Sequence, residues 1–189
     1  MRIIGGEKGG RKLSRWQGVG IRPLRDRVRT ALFDTLGEAV VGAEVLDLFA
    51  GTGAVGLEAL SRGASHATFV DSSPRAIRII RENAEKLGYT HRVEILRSDV
   101  VEAVHRLARL GRKYDLVFIG APYEKGIADE ALQALREALP LRPGAIVVAE
   151  TFHKDELFDA YQPLFLHDSR TYGETRLTYF RFGMGREEG

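Results

Sequence analysis

The stretch "LDLFAGTGAVG", residues 46–56, holds the residues most able to do chemistry. Its "GTGAVG" satisfies G-x-G-x-x-G, and Asp71 stands twenty residues after Gly51. That spacing is the formal fingerprint of a dinucleotide site, so a nicotinamide cofactor is one reading. Asp47, four residues ahead of Gly51, favours another. A dinucleotide sets its pyrophosphate on a helix N-terminus, where backbone N–H groups attract anions. A carboxylate beside them opposes that ligand and suits one with ammonium and sulfonium groups, namely S-adenosylmethionine. Asp71 would then accept from the ribose hydroxyls and Asp99 from the adenine amine. Each acid also has a plainer use, since Asp71 and Asp99 both stand where a helix cap belongs.

The elements that must position these residues alternate. "EVLDLFA", "HATFVD", "RVEILRSD", "YDLVFIG" and "GAIVVAET" read as strands, and helical patterns separate them. Ser72, Ser73 and Pro74 open one helix and Gly88 closes it, while Pro23 and Gly37 bracket an earlier one. "YQPLFLHDSRTYGETRLTYFRF" reads as two further strands joined by a turn. This alternation predicts an α/β fold, a mostly parallel seven-stranded sheet with helices on both faces. A small N-terminal β-hairpin, from Arg2–Ile4 and Arg11–Leu13, is expected to precede it. The division expected is a basic arm over residues 1–20 and a body over 21–189. In such sheets ligands sit beyond the carboxyl ends of the strands. Those ends carry Asp47, Phe49, Ala50, Gly51 and Gly53, then Asp71 with Ser72, then Asp99 with Val100. They are the expected cofactor-binding residues.

Composition sets the outer bounds. With 44% hydrophobic and 29% charged residues, the 189-residue chain is an ordinary globular mix, large enough for a core without staples. It has no cysteine, which excludes disulfides, thiol chemistry and Cys-ligated zinc. The five histidines lack metal-ligand spacing, so no metal is expected. No signal peptide or membrane span is evident, and the expectation is a cytoplasmic monomer. The net charge of +2 is uneven: residues 1–30 carry nine Lys/Arg against Glu7 and Asp26, a surplus of seven that the remainder offsets. A basic arm on a mildly acidic body suggests a polyanionic partner. Arg11, Lys12, Arg22, Arg25, Arg27 and Arg29 are the expected phosphate contacts. Arg27 and Arg29 sit two apart on one predicted helix and point in different directions, so one of them could instead pair with an internal carboxylate.

The end of the fourth strand reads "GAPY", Gly120, Ala121, Pro122 and Tyr123. Class I methyltransferases that modify exocyclic amines often carry Asp/Asn-Pro-Pro-aromatic there. An exocyclic amine delocalises its lone pair into the base. Oxygens that accept its N–H bonds favour pyramidalisation and proton loss, prolines fix the backbone, and the aromatic stacks on an extruded base. The four residues are the expected catalytic set.

The chain as a whole resembles the RsmD family, bacterial 16S rRNA guanine-N2 methyltransferases. "RIIGGEKGGRKL", "RPLRDRVRTALFDTL", "LDLFAGTGAVGLEALSRGA" and "YGETRLTYF" carry the resemblance, in the family's order. It implies a class I, Rossmann-like fold, S-adenosylmethionine as methyl donor and S-adenosylhomocysteine as product. It further implies a guanine N2 in 16S rRNA as target, on the 30S subunit or an assembly intermediate, with the basic arm holding RNA. Two departures stand out. The family's Arg-Pro-Thr is Arg22-Pro23-Leu24 here, and Gly120 replaces the acidic or amide acceptor. The latter leaves room for a weak or silent enzyme acting as an RNA-binding or assembly factor. A methyltransferase for another amine, on DNA adenine or protein, also remains open.

Overall fold

Strands form where short apolar runs recur. Glu44–Leu48 (β1), His66–Asp71 (β2), Val93–Arg97 (β3), Tyr114–Ile119 (β4) and Leu141–Phe152 (β5) alternate with helices in the computed structural model. It describes residues 1–16, 24–124, 126–158 and 160–183. The helices are Asp26–Leu36 (α1), Ala54–Ser61 (α2), Pro74–Leu87 (α3), Val100–Arg109 (α4) and Ile127–Ala138 (α5). Local signals place their ends. Ser73 caps α3, accepting from the Ala76 N–H at 3.4 Å, Pro74 takes the first position, and Gly88 closes the helix in the left-handed conformation. Asp99 caps α4.

The strand order is β3-β2-β1-β4-β5-β8-β7-β6. The first five are parallel, and Ala160–Tyr161 (β6), Leu164–Tyr172 (β7) and Thr175–Phe182 (β8) add an antiparallel edge. These are the seven expected strands plus the two-residue β6. Chain direction across the sheet reverses between β1 and β4, the switch point where open α/β sheets bind ligands. The central parallel strands are buried on both faces, with α1, α2 and α3 covering one and α4 and α5 the other, while β3 at the edge is only half-buried.

The N-terminal segment forms the expected hairpin in short form. Arg2 and Lys12 pair as an antiparallel bridge, the Ile3 N–H donates to the Arg11 carbonyl at 2.9 Å, and the Leu13 N–H donates to the Met1 carbonyl at 3.1 Å. The amides that follow go to α2. Ile4 and Gly5 donate to the two oxygens of Glu58, each at 2.8 Å, and Glu7 donates to the Ser61 carbonyl at 2.8 Å. Gly6 must be glycine here: its φ is 74°, and a Cβ would lie 1.9 Å from the Ser61 carbonyl oxygen. Ile3 and Leu13 then join the core beneath α1, α2 and α3.

Glu58 itself is wholly buried and also accepts from Arg62 Nε at 2.8 Å. Removing one partner of a buried ionic cluster costs about 3–5 kcal/mol. Glu58→Ala is therefore expected to lower the melting temperature by roughly 10 °C, at about 2–4 °C per kcal/mol for a chain of this size. Hydrogen exchange should show the loss of protection concentrated at the Ile4 and Gly5 amides.

Candidate active site

The chain leaves β1 through a strained turn. Phe49 has φ of 58°, a left-handed value that a bulky side chain rarely adopts. Gly51 and Gly53 follow at 59° and 77°. Two carboxylates hold this backbone. Asp71, at the end of β2, accepts from the Gly51 N–H at 2.9 Å with Oδ2 and from the Ser73 N–H at 2.9 Å with Oδ1. Asp47, on β1, accepts from the Gly56 N–H at 3.0 Å. Gly56 stands three residues past Gly53, which caps α2, so its amide has no partner within the helix. A Cβ at Gly56 would lie 2.4 Å from the Phe69 ring, so only glycine lets α2 sit this close to the sheet.

Asp47 is 2% exposed. Burial pushes its carboxyl up to about 8, the charge of Asp71 adds to the rise, and the Gly56 N–H opposes it. An acid held in this state ionises readily when a cation arrives beside it.

Across the switch point, the Gly120 N–H donates to the Leu48 carbonyl at 3.0 Å, which ties the end of β4 to the end of β1. One cleft results. Asp47, Phe49, Ala50, Gly51 and Thr52 line one side, Phe118, Gly120 and Glu150 the other, and Leu24, Ala54 and Val55 complete it. Ala121 is buried and Pro122 exposed. The Tyr123 hydroxyl donates to Glu150 Oε1 at 2.8 Å and lies 2.7 Å from Thr175 Oγ1. At Gly120 the φ lies outside the left-handed region, so a side chain is allowed there. Its Cβ would meet the Phe118 ring at 3.0 Å.

Asp99 is exposed beyond β3, and its Oδ1 accepts from the Glu102 N–H at 3.1 Å. The capping role is thus present, and it engages one of the two carboxylate oxygens. Val100 is buried behind it, and Ser72 is exposed beside Asp71. The three acids therefore lie at or just past the carboxyl ends of three adjacent strands.

The arginines divide. Arg11, Lys12, Arg25 and Arg27 are exposed, and Arg11 also donates to the Lys86 carbonyl at 3.3 Å. Arg22 lies outside the described residues. Arg29 corrects the expectation of a phosphate contact. It is wholly buried, donates to the Arg2 carbonyl and to Asp26 Oδ1 at 3.2 Å, and stands 3.9 Å from Glu58. It is the member of the Arg27/Arg29 pair that turns inward. Burial lowers its pKa, an effect that Glu58 and Asp26 partly offset. No cluster of potential metal ligands occurs among the described residues.

Two residues escape the sequence reading. Glu150 lies in β5 beside the end of β4, two residues short of its own strand's end. Glu58 sits mid-helix in "AVGLEAL", where only the apolar residues on every side betray burial.

A family model described as "Conserved hypothetical protein 95" matches residues 1–181. The chain belongs to the RsmD family of methyltransferases. Among RsmD-family relatives, YlbH of Bacillus subtilis is 33% identical over 96% of this chain and 98% of its own. Ribosomal RNA small subunit methyltransferase D of Escherichia coli is 36% identical over 80% of this chain and 74% of its own. The solved structure of yhhF from Escherichia coli shares 30% identity and a TM-score of 0.84, over 96% of this chain and 97% of that one. At 18% identity only the fold is shared. An RNA methyltransferase of Salinibacter ruber, in complex with S-adenosylhomocysteine, aligns over 89% of this chain and 98% of its own with a TM-score of 0.64. The class I, Rossmann-like methyltransferase fold of the RsmD family is thus the one this chain adopts.

The raised pKa of Asp47 has a sign that can be tested. Its ordinary value is 3.8 and its folded value about 8, so the folded state holds the proton more tightly. The stability that this proton confers is complete below about pH 4 and is lost as pH rises toward 8. Asp47→Asn keeps an acceptor for Gly56 and removes the ionisation. Thermal melts should show it gaining on the native chain as pH rises from 4 to 8, with little difference near pH 4.

Proposed function

We propose that this chain transfers a methyl group from S-adenosylmethionine to the exocyclic N2 of a guanine in 16S rRNA. The observation that carries the proposal is the single cleft in which the glycine turn and Asp47 face Gly120 across the switch point. The donor set fits the cofactor. Asp47, Asp71 and Asp99 form an acidic succession suited to cationic and hydroxyl-bearing groups. The Gly56 amide, which a phosphate would need, is already taken by Asp47. A nicotinamide dinucleotide therefore meets a carboxylate where it requires a donor.

Bound there, the cofactor supplies an electrophilic methyl carbon. The protein supplies position. Asp47 takes charge beside the ammonium group, Asp71 holds the ribose hydroxyls with the lone pairs left over from Gly51 and Ser73, and Asp99 holds the adenine amine. Ala121 and Pro122 fix the backbone at the reacting amine, and Tyr123 offers its ring to the target base. Stacking of this kind contributes about 1–3 kcal/mol per base. Alignment of amine and methyl group is the larger contribution in a two-reactant transfer.

The arm over residues 1–20 would grip the RNA while the body over 21–189 holds the cofactor. Arg11, Lys12, Arg25 and Arg27 are exposed for phosphate contacts. The protein would act as a cytoplasmic monomer on the 30S subunit or an assembly intermediate. No helix among the described residues is long and apolar enough to cross a membrane.

Gly120 favours one other reading, an RNA- and cofactor-binding factor without turnover. Incubating the chain and S-adenosylmethionine with undermodified 30S subunits and with naked 16S rRNA separates the two. Mapping of methylated guanines should show one N2-methylguanine gained. Cofactor binding without methyl incorporation on either substrate would decide for the silent factor. A second measurement addresses the arm. Reversing charge at Arg11 and Lys12 is expected to weaken RNA binding, with the slope of log affinity against log salt shallower by about two. Cofactor affinity by calorimetry should not change.

A further inference from the structure

The acceptor absent at position 120 has a neighbour. In the parallel pairing of β4 with β5, Ile119 stands opposite Ala149, so Gly120 and Glu150 are the next positions in register. Register partners on adjacent parallel strands project to the same face, about 5 Å apart. Both residues accordingly line the same cleft. Glu150 is 8% exposed, an unusual setting for a carboxylate near a strand end. Tyr123 donates its hydroxyl to Oε1 and is itself placed by Thr175, which fixes the carboxylate beside the cleft. A carboxylate offers about four lone-pair sites, and the Tyr123 hydroxyl takes one of them.

We infer that Glu150 is the amine acceptor of this enzyme, reaching from β5 into the space where the family's side chain would project from position 120. The assignment rests on the methyl-transfer reading above. Glu150 accepts an N–H bond of the target amine and so holds the nitrogen lone pair toward the methyl carbon. The nitrogen–carbon bond forms as the carbon–sulfur bond breaks, and the electron pair of the latter stays on sulfur to give S-adenosylhomocysteine. The nitrogen, now cationic, loses one proton to the Glu150 carboxylate, which passes it to water. Tyr123 acts here as a positioning residue for Glu150 as well as a surface for the base.

The test compares native, Glu150→Gln, Gly120→Asp and Gly120→Asp/Glu150→Gln chains on 16S rRNA substrate, with S-adenosylhomocysteine calorimetry on each as the check of fold and cofactor site. Glu150→Gln is nearly isosteric and should bind the cofactor within about twofold of native. Its kcat should fall about tenfold to a hundredfold, the range for a charged hydrogen bond made in the transition state, with KM for RNA little changed. Adding Gly120→Asp should restore most of that loss, because the acceptor returns from the neighbouring strand. A Glu150→Gln chain whose kcat stays within twofold of native overturns the assignment and leaves the methyl-transfer reading standing. A loss that Gly120→Asp leaves wholly unrepaired, with cofactor binding intact, gives Glu150 a structural role and overturns it too. A native chain that methylates no RNA refutes the underlying reading, and this assignment with it.

Discussion

The first amides of a helix have no partner within it, and how this chain satisfies those of α2 shapes its cleft. Asp47 takes the Gly56 N–H in the first turn of α2, and Asp71, on the adjacent strand, holds the turn before the helix through the Gly51 N–H. Everything near the cleft adapts to these bonds. Gly56 must lack a side chain so that α2 can sit against Phe69. Phe49 accepts a left-handed backbone so that the turn can begin one residue after the strand. Asp47 accepts burial, which raises its pKa. The same geometry that resembles a phosphate cradle in sequence is thereby closed to phosphate and made receptive to a cation.

The consequences run along α2 to its other end. Glu58, one turn on, gathers the amides of Ile4 and Gly5 and the guanidinium of Arg62, with Arg29 close by. Asn83 of α3 makes a second tie. Its side chain accepts from the Ser14 N–H at 2.6 Å and donates to the Ser14 and Thr52 carbonyls at 3.3 and 3.0 Å. Thr52 belongs to the glycine turn, so one buried amide joins the N-terminal segment directly to that turn. An arm anchored in this way has a fixed offset from the cleft. Any phosphate held by Arg11 or Lys12 then sets the distance from RNA backbone to reacting methyl, which is how remote binding contributes to positioning.

Much of this was legible in the sequence because two rules act locally. Hydrophobic period separates strand from helix, and ligand chemistry collects at strand ends, so Asp47, Asp71, Asp99 and Gly120 could be found from spacing alone. What was not legible depends on direction and on long-range pairing. Arg27 and Arg29 are identical in composition, and only the packing of α1 sends the second inward to Asp26 and Glu58. The N-terminal hairpin is local, yet the carboxylate that docks it through the Ile4 and Gly5 amides lies more than fifty positions away. Glu150 stands near the end of the apolar strand "GAIVVAET". Its meaning appears only when β4 and β5 pair in register and put it next to Gly120.

That register also explains why a glycine at 120 need not be a defect. Two carboxylates about 5 Å apart would repel, which favours a proton on one of them. A protonated acid is a poorer acceptor for an amine N–H, so the second carboxylate adds less than the first. The Phe118 ring imposes a steric cost as well, because it already stands 3.0 Å from where a Cβ at 120 would be. One acceptor, held from β5 by Tyr123, meets the chemical requirement while avoiding both the repulsion and the crowding. Position 120 then serves as clearance for a carboxylate delivered by the next strand, and that carboxylate is the acceptor that an amine losing a proton requires.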